Sequence, residues 1–190
     1  MSYTKICNLN LGLDLEQLKG KPEKQYEGLN EGTLQYYQIS DAEVLRNIPM
    51  FSTIKPDYML VAEINGSGSI GPHIDHGPQV VLNWYMRSNQ AMTMFYKPKE
   101  NSVPFKAEHE DEAKLYRHED LEVYDCFSAQ DNDIYLLDVS KIHAVSSPKP
   151  GSRLFLSLSW KDYSYEEIQD NILSSNIKWN QFFNLKSSTP

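Results

Sequence analysis

Residues Arg153–Trp160 read RLFLSLSW. Leu154, Leu156, Leu158 and Trp160 fall on one side of a period-two pattern, and Arg153, Phe155, Ser157 and Ser159 on the other. Successive side chains of a strand point to opposite faces, so this run is a strand with two unlike faces. It follows a turn, Pro148-Lys149-Pro150-Gly151. Similar short runs precede it at Asp57–Ile64, Ser69–Asp75, Gln79–Met86, Ala91–Lys97, Leu121–Phe127, Asp133–Val139 and Ile142–Val145. Breakers such as Asn65-Gly66-Ser67-Gly68, Gly77-Pro78 and Arg87-Ser88-Asn89-Gln90 separate them. Eight short runs with regular turn signals predict a mainly β chain, a sandwich or barrel.

The flanks read differently. The first ~30 residues are polar and broken by Gly20, Pro22 and Gly28, which predicts an irregular or peripheral lead-in. Thr33–Ile39 is rich in Tyr and β-branched residues and predicts a strand. Ser40 with Glu43 three residues on predicts a capped short helix ended by Pro49. Lys99–Asp120 is charged, has no period, and predicts a surface loop or lid. From Tyr163 onward Ser164, Glu166 and Glu167 suit a helix start, and Ile168, Ile172 and Leu173 recur at helical spacing. Trp179, Phe182 and Phe183 are expected to pack that end onto the sheet.

Composition narrows the class. The chain has 190 residues, 40% of them apolar, with 18 Lys plus Arg against 26 Asp plus Glu for a net charge of −8. That length suits one domain with a core. The acidic balance argues against bulk binding to a nucleic-acid backbone. No apolar run reaches the ~20 residues of a membrane helix. MSYTKICNLNLG lacks the apolar stretch of a secretory signal. Cys7 and Cys126 are far apart, in no metal-binding spacing, so the cytoplasm is the expected compartment and Cys126 a small core residue.

Gly71-Pro72-His73-Ile74-Asp75-His76 carries the chemistry. On a strand His73 and Asp75 share a face, and an imidazole and a carboxylate two residues apart can grip one cation. Alternation points His76 away from His73, either to solvent or to a place behind the ligands. His143, 68 positions beyond Asp75, is the expected third ligand. Two imidazoles and one carboxylate on one side of a metal leave positions open, as in non-haem Fe(II) oxygenases. Ten residues after His143 comes Arg153, whose rigid fork suits a carboxylate ligand.

With His73, Asp75, His143 and Arg153 in this spacing, the chain resembles the Fe(II)/2-oxoglutarate-dependent dioxygenase superfamily. The resemblance spans Tyr58–Trp160. The runs Val80–Met86 and Thr93–Tyr96 also look like the two strands after the H-x-D motif in small single-domain members. The resemblance implies a double-stranded β-helix, or jelly roll, with flanking helices. Together with the readings of the flanks and the length, this gives an expected single domain over 1–190: a lead-in 1–56 with a short strand and helix, a jelly-roll core 57–160 with an insert 99–120, and a C-terminal helix in 161–190. His73, Asp75 and His143 would hold Fe(II), and Arg153 would anchor 2-oxoglutarate, with Asn83, Tyr85 and Thr93 helping to hold that small-molecule cosubstrate. Dioxygen would complete the reaction, hydroxylating a protein side chain, a metabolite or a nucleobase and releasing succinate and carbon dioxide. One position departs from the pattern. Many members have a serine two residues after the arginine, where this chain has Phe155. The alternatives are a non-enzymatic metal-binding cupin-like module and a cupin metal enzyme that does not use 2-oxoglutarate.

Overall fold

The structure is a computed structural model that describes residues 1–10, 15–29, 32–39, 54–66, 69–105, 114–146 and 150–174. Twelve strands occur among them. The lead-in gives β1 (Tyr3–Asn8), β2 (Lys19–Leu29) and β3 (Gly32–Ile39), with a one-turn helix α1 (Leu15–Leu18) before β2. Then follow β4 (Tyr58–Gly66), β5 (Ile70–Ile74), β6 (Val80–Arg87), β7 (Met92–Pro98) and β8 (Lys114–Leu115). The last strands are β9 (Leu121–Ser128), β10 (Asp133–Asp138), β11 (His143–Ser146) and β12 (Gly151–Trp160). Helix α2 covers Tyr165–Ser174.

The strands form two antiparallel sheets, ordered β1-β10-β6-β12-β4-β3-β2 and β8-β5-β11-β7-β9. From β4 to β7 and again from β9 to β12 consecutive strands leave one sheet for the other, so the two are wound from one double-stranded ribbon, a mainly β double-stranded β-helix. Between the sheets lie Val81, Tyr85, Phe155, Phe95, Phe127 and Tyr135. The far side of the larger sheet carries Leu154, Leu156, Leu158, Trp160, Leu82 and Trp84, and α2 covers it with Tyr165, Ile168 and Ile172. This is why the even positions of Arg153–Trp160 are all apolar. They pack under a helix, while the odd positions face the other sheet. Ser164 and Glu167 cap α2 reciprocally: the Glu167 N–H donates to Ser164 Oγ at 3.2 Å, and the Ser164 N–H to Glu167 Oε2 at 2.8 Å.

Three expectations need correction. The lead-in is peripheral but not irregular: β1 and β2 are the edge strands of the larger sheet, and Tyr3 enters the interior against Phe127 at 4.6 Å between ring centroids. Pattern reading fails there because Pro22 and the register shifts around it are tolerated at an edge. The insert is not wholly loop, since Lys114–Leu115 pairs with β5 and places Leu115 opposite His73. Cys126 is exposed, because β9 is also an edge strand. The helix expected after Ser40 and the packing expected of Trp179, Phe182 and Phe183 lie outside the described residues. Among the described residues, no helix is long and apolar enough to cross a membrane.

If α2 closes the larger sheet as described, Ser164→Ala will lower stability by about 1 kcal/mol. Ile168→Ala will lower it by about 2–5 kcal/mol. Urea midpoints measure both, and an Ile168→Ala protein as stable as wild type contradicts the packing.

Candidate metal centre

β5 and β11 run antiparallel with His73 directly opposite His143, and their rings lie 4.3 Å apart, centroid to centroid. A register shift between His143 and Val145 marks a bulge in β5 at Gly71-Pro72. Proline has no N–H for the ladder, so a bulge is where a strand accepts it. The bulge turns both Ile70 and His73 inward. Asp75 follows directly, its N–H 3.4 Å from the Val139 carbonyl where the two sheets meet.

Among the described residues, His73, Asp75 and His143 form the group able to hold a metal ion, with one ligand atom from each within 4.8 Å of the others. Asp75 Oδ1 lies 3.2 Å from His73 Nε2 and 4.0 Å from His143 Nε2. The other ring nitrogens are occupied. His73 Nδ1–H donates to the Gly71 carbonyl at 2.8 Å, and His143 Nδ1–H to the Lys141 carbonyl at 3.0 Å. A backbone carbonyl on Nδ1 fixes the tautomer and leaves the Nε2 lone pair for a cation. Sequence reading missed these two carbonyls. Each lies two residues before its histidine, and only Gly71-Pro72 hinted at an unusual backbone.

The electrostatics suit a cation. Burial, and next the His73 charge, push the His143 imidazole down to about 4, so it is neutral at physiological pH. Burial pushes the Asp75 carboxyl up, but the His73 hydrogen bond and the two imidazoles outweigh it and hold Asp75 below its usual range. A neutral His143 imidazole and an ionised Asp75 carboxylate are the protonation states that a metal requires of these two ligands. His76 is exposed, beyond the end of β5.

Arg153 lies across the interior. Its side chain is buried, 3% exposed, and no carboxylate among the described residues pairs with it. Its guanidinium stands 4.4 Å from the Tyr85 ring centre and 5.5 Å from that of Phe155, with one amino group 3.4 Å from Thr93 Oγ1. Its Nε has no acceptor, nor has Asn83 Oδ1 a donor, while Asn83 Nδ2 donates to the Tyr85 hydroxyl at 3.2 Å. Phe155, in the position where the resemblance expects serine, is an aromatic wall for the guanidinium. Thr93 stands opposite Val145 and His143 opposite Phe95, so Thr93 is two residues, about 6.8 Å of strand, from the histidine level. The four residues expected around the cosubstrate, Arg153, Asn83, Tyr85 and Thr93, are thus gathered in one buried polar cluster beside the metal ligands.

No protein-family model matches the chain, and no curated protein does. Among solved structures, the chain is similar to a 2OG-Fe(II) oxygenase family oxidoreductase from Burkholderia pseudomallei, at 9% identity and TM-score 0.43, over 73% of this chain and 72% of that one. It is similar to the epimerase SnoN, solved with Fe3+, alpha ketoglutarate and nogalamycin RO, at 13% identity and TM-score 0.41, over 68% and 63%. It is also similar to a mutant of oxalate decarboxylase OxdC from Bacillus subtilis, at 14% identity and TM-score 0.37, over 75% and 29%. The chain spans about a third of the length of the two oxalate decarboxylases and the vicilin that it matches. Similarity of this degree does not carry chemistry from those proteins to this one.

The His143 environment makes the metal-free protein acid-sensitive. Between pH 6.5 and about 4 the unfolded imidazole binds a proton and the folded one does not, so stability rises with pH through that window. Denaturant titrations of metal-free protein will show stability falling as the pH drops from 6.5 to 4, and His143→Gln will flatten the slope. A wild-type profile already flat in that window contradicts the buried neutral imidazole.

Proposed function

We propose that the protein is a non-haem oxygenase that uses Fe(II), 2-oxoglutarate and dioxygen to hydroxylate its substrate, releasing succinate and carbon dioxide. The observation that carries this reading is Arg153. A buried guanidinium without a carboxylate costs several kcal/mol of stability. That cost has a purpose if an anionic ligand completes the site, and a dicarboxylate reaching from Arg153 to the metal ligands is such a ligand. The donor set fits the metal: two imidazoles held by carbonyls and one carboxylate gather on one side of a common point.

In this reading His73, Asp75 and His143 hold Fe(II), which when bound supplies the redox and Lewis-acid chemistry toward 2-oxoglutarate and dioxygen. Arg153 binds the far carboxylate through its planar fork. The rings of Tyr85 and Phe155 flank the guanidinium, exclude water from the pair and strengthen it. Asn83 holds the Tyr85 hydroxyl, and the Thr93 hydroxyl offers the anion a second donor beside Arg153. The thiols of Cys7 and Cys126 are free, which suits the reducing cytoplasm.

Anaerobic titration of Fe(II)-loaded protein with 2-oxoglutarate tests the proposal. A visible charge-transfer band will appear in wild type. Arg153→Met will weaken 2-oxoglutarate binding by about 100-fold or more, as expected when a desolvated charge pair loses a partner. The same variant will retain its metal and unfold at higher denaturant in the absence of 2-oxoglutarate, since it removes an unpaired buried charge. Metal binding without any response to 2-oxoglutarate would instead favour a cupin-type metal protein of different chemistry.

A further inference from the structure

The inward face of the larger sheet has a graded row of which only Asn83 has a role above. Register aligns Tyr135 with Asn83, Asn83 with Ser157, Ser157 with Leu60, and Leu60 with Gln38. Along this row burial falls steadily: Tyr135 and Asn83 are buried, Ser157 and Leu60 partly exposed, and Gln38 exposed. β12 is a central strand, and its neighbours Leu156 and Leu158 on the other face are buried. Only a gap between the sheets can expose Ser157. The smaller sheet has the matching gradient. Phe95 is fully buried, His143 is opposite it, His73 is next across the ladder, and the Asp75 side chain is 31% exposed. The inward faces of the two sheets oppose each other, so their exposed corners line one opening.

We propose that the substrate reaches the metal-ligating trio along Gln38, Leu60 and Ser157, and that the part passing this row is an uncharged group able to hydrogen-bond. This rests on the oxygenase reading above and names the class of its substrate. The Ser157 hydroxyl and the Gln38 carboxamide have no partner among the described residues, and each both donates and accepts. On β3, β4, β6 and β12 the inward positions around this row carry no acidic or basic side chain except Arg153, which faces the cosubstrate. Glu63 and Lys19 are on the opposite face, paired at 2.9 Å. Along these four strands a charged group would lose water and find no counter-charge before Asp75, whereas a neutral amide or nucleobase edge would exchange hydrogen bonds with Ser157 and Gln38. Leu60 between them is an apolar spacer that suits a flat group.

Cysteine scanning tests this without knowledge of the natural substrate. The background is Cys126→Ser, since Cys126 is exposed; Cys7 reacts slowly because burial pushes its thiol up to about 11. Into it go Ser157→Cys and, as a second reporter should the first fold poorly, Leu60→Cys. Each is alkylated with iodoacetamide, iodoacetate and 2-bromoethylamine, and each rate is divided by that of the same reagent with 2-mercaptoethanol. Neutral iodoacetamide will modify the introduced cysteine at least about tenfold faster, on this scale, than either charged reagent. Equal rates for the three reagents, or an introduced cysteine inert to all of them at both positions, overturn the proposal. Alkylation needs no 2-oxoglutarate, so a wild-type protein without the charge-transfer band would remove the oxygenase reading and leave the neutral path to stand or fall by its own result.

Discussion

One backbone pairing underlies the site: β5 against β11, with His73 opposite His143. Antiparallel partners stand about 4.5–5.5 Å apart, so the register alone brings the two imidazoles together. Two carbonyls, those of Gly71 and Lys141, then turn both rings so that Nε2 faces Asp75. A slip of one residue in either strand would send an imidazole to the outer face. The bulge at Gly71-Pro72 keeps His73 inward despite the proline, and the apolar neighbours of His143, Ile142 and Ala144, hold β11 by packing on the other side.

The interior that results is lopsided. On the side of β1, β10 and β9 it is closed by stacked aromatic rings, with Phe127 and Tyr135 4.1 Å apart and Tyr3 against them. On the side of β3, β4 and β5 burial falls toward Gln38, Leu60 and Asp75, and the interior is partly open. Arg153 stands at the boundary, its charge buried among Tyr85, Phe155 and Thr93. The fold tolerates this because the apolar layers under α2 and within the aromatic half supply the stability that the charge removes. A pocket that is costly when empty is one that a matching anion stabilises by binding.

Much of this is legible in the sequence. Short apolar and β-branched runs between turn residues located β4–β7 and β9–β12 to within about two residues, and all of these except β9 are central strands with little freedom in what they carry. His73, Asp75, His143 and Arg153 were recognisable by spacing, and the fold gathers them. The edges were harder. β1 and β2 pair on one side only, so their composition is polar and mixed, and Pro22 disguises β2. Leu115 flanks His73 from a two-residue strand too short to show a period. The row from Asn83 to Gln38 is invisible in a linear reading, because its members come from four strands and meet only through register.

X-ray absorption at the iron edge of Fe(II)-loaded protein tests the convergence of the three ligands most directly. Wild type will show scattering from two imidazoles, and His143→Ala from one. An unchanged imidazole count in the variant would mean that His143 does not reach the ion bound by His73 and Asp75, and the account would be contradicted at its base.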